Sequence, residues 1–141
     1  MSIEPLDMAQ AAGAPIDTLE SWFSAHGWLC ERLGDEEIVS SAKGAWCQYE
    51  LRGLWREDDC VLQFLAFPDV KVTDAQASSI YETIGLINEQ LWLGHFEYWP
   101  ATGIIIYRHA VLLDSGNGEA TFSIEQAEVM VEAAIDELDR F

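Results

Sequence analysis

Two strand patterns in direct succession limit this chain more than anything else in it. Over residues 45–55 the side chains alternate. Ala45, Cys47, Tyr49, Leu51 and Trp55 fall on one face, and Gln48, Glu50 and Arg52 on the other. That two-residue period describes a strand with one dry and one wet face. A turn of three acids, Glu57-Asp58-Asp59, leads at once into residues 60–67, which are apolar on both faces. A parallel return needs a crossover of roughly a dozen residues, so strands this close in sequence pair antiparallel. The second is expected inside the sheet, closed by Pro68 and Asp69.

The remaining patterns arrange themselves around that pair. A first helix is expected over residues 16–26, with Leu19, Trp22, Phe23 and His26 on one face. Asp17 and Glu20 have capping-box spacing, and Gly27 can take the left-handed geometry that ends a helix. Residues 28–33 read as extended, and 37–42 as a short strand. Thr73 and Gln76 form a second capping box, after which Ala77, Ile80, Ile84, Ile87 and Leu91 recur at helical spacing, with Gly94 as the stop. A strand is expected at 95–99, a turn at 100–103 and a strand apolar on both faces at 104–113. Ser115-Gly116-Asn117-Gly118 is a loop by its chemistry. Ser123 and Gln126 open a third helix. Its buried stripe is Ile124, Ala127, Val131, Ala134 or Ile135, and Leu138. Glu125, Glu128, Glu132, Asp136, Glu137 and Asp139 lie outward. These patterns imply an α+β domain with a five-stranded antiparallel sheet and three helices, in the order α-βββ-α-ββ-α. The strands before and after the second helix can pair either way.

The chain has 141 residues, half of them apolar. That fits one domain over 15–141, with residues 1–14 expected to fray because they carry no repeating face. Seven basic residues stand against 25 acidic ones, a formal charge of −18. Phosphate recognition needs Lys and Arg to replace condensed counterions, so direct binding of nucleic acid, or of an anionic membrane, is not expected. No apolar run is long enough to span a bilayer, and the first residues lack the basic region of a signal peptide. Three widely spaced cysteines, Cys30, Cys47 and Cys60, suit buried thiols in a reducing cytoplasm better than a disulfide framework.

Patterns that carry chemistry are tested in turn. Cys30, Cys47 and Cys60 with His26, His95 and His109 show no spacing that fixes a nucleophile beside its base. The cysteines are too far apart for a zinc pair. Counted as a calcium loop from Asp114, the twelfth position is Glu125, but Gly116 and Gly118 stand where ligands belong and Glu119 where glycine does. No phosphate-cradling glycine loop with a lysine is present. No catalytic residue, metal ligand or cofactor is therefore assigned.

Surface chemistry remains. Carboxylates near a helix C-terminus oppose its dipole, so Asp136, Glu137 and Asp139 do nothing for the third helix. They serve solubility or meet a basic partner. Residues 91–99 are crowded with aromatics, and Trp92, Phe96, Tyr98 and Trp99 cannot all share one buried stripe. With Tyr107 on the next strand, these residues are the candidates for binding a partner.

The segment Leu86-Ile87-Asn88-Glu89-Gln90-Leu91-Trp92-Leu93-Gly94-His95-Phe96, followed by Ile104-Ile105-Ile106-Tyr107-Arg108-His109-Ala110-Val111-Leu112-Leu113, resembles the bacterial YbjN family. The specific part is residues 74–113; the N-terminal strands match in pattern alone. The resemblance implies a sensory transduction regulator without catalytic residues. It also implies a fold similar to type III secretion chaperones, which are acidic, non-enzymatic homodimers that hold extended protein segments. On that basis the chain is expected to be a regulatory or adaptor protein, a homodimer with a further protein partner. A chaperone for secreted or disordered segments and a small-ligand binder are the alternatives.

Overall fold

A computed structural model describes residues 15–113 and 121–141. The N-terminal segment expected to fray and the loop Ser115-Gly116-Asn117-Gly118 lie outside them. The elements are α1 (Pro15–Ala25), β1 (Cys30–Arg32), β2 (Glu37–Lys43), β3 (Gln48–Arg56), β4 (Val61–Pro68), α2 (Ala77–Asn88), β5 (His95–Trp99), β6 (Ile104–Leu112) and α3 (Ile124–Arg140). Short 3₁₀ turns at Glu57–Asp59 and Asp74–Gln76 precede β4 and α2.

The sheet has six strands rather than five, in the order β1-β2-β3-β4-β6-β5, and every pair is antiparallel. The added strand is β1. Three residues are too few to show a period, and β1 exists by its pairing, Cys30 with Ser40 and Arg32 with Ile38. Arg32 also ties β1 to the first helix, reaching Asp17 at 2.8 Å and Glu20 at 2.7 Å. Those two acids therefore hold a strand and do not cap α1, which starts earlier, at Pro15. β4, apolar on both faces, lies inside the sheet, between β3 and β6.

Register assigns each residue a side. Ile38, Leu51, Phe64, Tyr107 and Phe96 point one way, onto α1 and α3, and form the core with Ile16, Leu19, Phe23, Ala127 and Val131. α3 behaves as its sequence dictates: Ser123 and Gln126 exchange the reciprocal bonds of a capping box. Its buried stripe takes in Met130, while Ile124 is left exposed. The core draws nothing from the opposite sheet face. There Leu65 and Ile106 are nonetheless buried, beside the edge-to-face rings of Phe67 and Trp99, 6.2 Å apart.

Three boundaries moved for local reasons. Cys47 lies in the turn before β3, and Cys60 caps a 3₁₀ turn at φ 56°, so neither belongs to a strand. α2 ends at Asn88 instead of running on to Gly94, because the chain reverses there to bring β5 back beside it. The Asn88 amide accepts from Phe96 N at 2.8 Å and donates to Phe96 O at 3.1 Å. Gly94, at φ 72°, then lets the backbone pass against the Tyr107 hydroxyl, where a Cβ would collide.

Candidate interaction site

The residues proposed from sequence separate into three groups. Phe96, Tyr98 and Tyr107 are buried and are corrected to core residues. β5 and β6 place them on the helix-covered face, where Phe96 meets Tyr107 edge to face at 5.4 Å and Tyr98 meets Tyr81 at 5.2 Å. The Tyr107 hydroxyl donates to Leu93 O at 2.6 Å, and burial, aided by the Glu137 charge, pushes its pKa up to about 12. Trp99 is half-buried on the other face and donates to Glu97 at 3.0 Å. Trp92 alone stands out in solvent, 98% exposed, with Leu93 at 44% beside it.

The acids at the end of α3 separate as well. Asp136 is exposed. Glu137 is half-buried beside Tyr107, and among the described residues one of its oxygens has no hydrogen-bond partner. Asp139 is a structural anchor. Its Oδ1 accepts from Ala45 N at 2.8 Å and from the buried Tyr49 hydroxyl at 2.6 Å. Its carbonyl, one of the orphans of a helix end, accepts from Trp46 Nε1 at 2.8 Å. The β2–β3 turn thus grips the C-terminus of α3. Burial and this carboxylate together hold the Tyr49 phenol well above its usual range.

The thiols and imidazoles are dispersed among unrelated contacts. All three cysteines are half-buried, and burial pushes the Cys30 thiol up, away from the reactive thiolate. His26 stacks on Trp22 at 3.8 Å, and His109 is half-buried, its pKa lowered by burial. His95 bonds Glu97 at 2.6 Å. That carboxylate is the hub of the open sheet face. Arg108 donates to it at 2.7 and 3.1 Å and to Gln63 at 2.5 Å. The Arg108 hydrogen bonds, opposed by burial and helped by Trp99 and His95, hold its pKa down at about 2. Among the described residues no group of three His, Cys, Asp or Glu side chains gathers as a metal site would, and no helix is long and apolar enough to cross a membrane.

The apolar surface left most open to solvent is that of α2 and the turn after it. The intended stripe of Ala77, Ile80, Ile84, Ile87 and Leu91 is only half-buried, and α2 contains no fully buried residue. Tyr81 and Leu86 are more than half exposed. Sequence periodicity found the stripe but gave no measure of how much sheet lies under it; α2 packs chiefly along one edge strand, β5.

An antiparallel sheet with its helices packed on one face defines an α+β domain. By sequence the chain belongs to the YbjN family, described as "Putative bacterial sensory transduction regulator", whose model matches residues 15–141. The chain is similar to a solved structure described as "Crystal structure of YbjN, a putative transcription regulator from E. coli". It is 12% identical, with a TM-score of 0.60 over 89% of this chain and 86% of that one, and so speaks for the fold. No curated relative matches.

Proposed function

We propose that this protein is a non-enzymatic regulator or adaptor that acts by binding protein, with a second copy of itself as its first partner, through α2 and the Trp92-Leu93 turn. The observation that carries the reading is the helix without a fully buried residue. Four large apolar side chains, Tyr81, Leu86, Trp92 and Leu93, are exposed on it and on the turn that follows. A fully solvated tryptophan contributes nothing to the monomer, whereas aromatic anchors dominate interfaces. The family description, a regulator, is consistent with this use of the surface. Holding basic or disordered segments is a second reading, favoured by a hollow on the opposite side of the sheet.

Light scattering tests the first partner. The expected mass is twice 15.8 kDa, and Trp92→Ala with Leu86→Ser is expected to give a folded monomer whose melting temperature, unlike that of the wild type, does not depend on concentration. Two copies each carrying −18 repel, so the dimer should strengthen as salt is added. A wild-type monomer at high concentration sinks the idea, as does a variant that stays dimeric.

A further inference from the structure

Two hollows among the described residues open on the sheet face that the helices leave bare. One, of about 500 Å³, is edged by Glu37, Arg56 and Asp59, so its charges are mixed. The other, of about 560 Å³, crosses β1, β2, β3 and the end of β4. Its apolar wall is Leu29, Val39 and Phe67, and its charged groups are Glu31, Glu50 and Asp69. No cation lines it. Glu50 is answered by Arg52 at 2.6 Å, while among the described residues Glu31 and Asp69 have no ion pair. Leu29, 91% exposed, has its carbonyl fixed by Ser40 Oγ at 2.7 Å and its side chain left outside the core.

We infer that this second hollow is a docking groove for a short segment of another protein in which apolar side chains alternate with Lys or Arg. The inference rests on the reading that the chain acts by binding protein, but it uses a different surface from α2. Charge complementarity argues for the occupant. Of the chain's seven cations, Arg32, Arg52, Arg56, Arg108 and Arg140 are already engaged with carboxylates, and the other two, Lys43 and Lys71, do not line the hollow. The field over Glu31 and Asp69 therefore stays negative and favours an approaching cation. Size argues for a polypeptide. Glu31 and Asp69 are three strand spacings apart and offset along the strands, a span on the order of 15–20 Å. About five extended residues cover that distance, with alternate side chains falling on Val39 and Phe67.

The test measures fluorescence anisotropy of a dye-labelled ten-residue peptide of alternating Leu and Lys, against a Ser/Lys and a Leu/Glu control. The Leu/Lys peptide is expected to bind and to weaken as salt rises. Glu31→Gln with Asp69→Asn should weaken it about fivefold, the sum of two exposed ion pairs. Leu29→Ser should weaken it further. Glu128→Gln with Glu132→Gln, on the outer face of α3, should change it less than about twofold. All these side chains are exposed, so the variants fold, which far-ultraviolet dichroism checks. The groove is overturned if the α3 pair matters as much as the Glu31/Asp69 pair, if the Ser/Lys peptide binds equally, or if the groove variants bind as wild type does. Light scattering on the same variants keeps the two readings apart: loss of peptide with the dimer intact supports the groove, and loss of the dimer in wild type refutes only the α2 reading.

Discussion

Lowering the pH should remove one identifiable contribution to stability, that of Glu97. Its carboxylate accepts two hydrogen bonds from Arg108 and one from Trp99, and bonds His95, on the sheet face away from the core. These partners favour the ionised form, and the pKa falls from 4.5 to about 2. A depressed folded-state pKa means that the unfolded chain takes up the proton first. The stabilisation is complete above about pH 4.5 and is lost as pH falls through about 2. At about 1.4 kcal/mol per unit the shift bounds the effect at roughly 3 kcal/mol, and the partial exposure of the side chain reduces that to about 2 kcal/mol. Other carboxylates titrate in the same range, and relief of self-repulsion acts in the opposite direction. The clean quantity is therefore the difference between wild type and Glu97→Gln, measured by urea unfolding at dilute concentration, since solubility is lowest near the pI of about 4.1. It should be about 2 kcal/mol at pH 7 and shrink to a few tenths by pH 2. A difference that stays constant from pH 7 to pH 2 refutes the reasoning.

Two further outcomes follow from contacts at helix and strand ends. Asp139→Ala should cost about 2 kcal/mol, because it strands the buried Tyr49 hydroxyl and releases Ala45 N. Thermal melting should fall by roughly 6–8 °C. An unchanged melt would show that the β2–β3 turn does not hold α3. Gly94→Ala should cost about 2 kcal/mol or more, since it combines φ 72° with a Cβ against the Tyr107 hydroxyl. Adding Tyr107→Phe should recover the collision part alone, so a double variant as unstable as Gly94→Ala would place the whole cost in the backbone.

The helices and the central strands were legible because their signals are local. The Ser123 and Thr73 capping boxes, the doubly apolar β4 and the glycine after α1 each state their own structure within a few residues. What sequence missed depends on distant partners. β1 has no period of its own and forms because β2 offers an edge and α1 offers Asp17 and Glu20 to Arg32. Asp139 looked misplaced at a helix C-terminus because its partners, Ala45, Trp46 and Tyr49, lie far back in the chain. Tyr107 and Phe96 looked available for a partner because an alternating strand does not say which of its faces the helices cover. Trp92 was separable in principle: it follows the half-buried stripe of α2 and precedes the turning glycine, where no core position remains.

The Asn88 amide that grips Phe96 bears on how these molecules can assemble. A sheet has two margins, and a chain with both margins bare can add neighbours without limit, as fibres do. Here the outer margin of β5 is engaged by one side chain near its start, at Phe96, with α2 alongside. The other margin, β1, is three residues long. With one margin stoppered and the other too short to serve as a template, neither edge of the described sheet gives a growing stack a strand on which to extend.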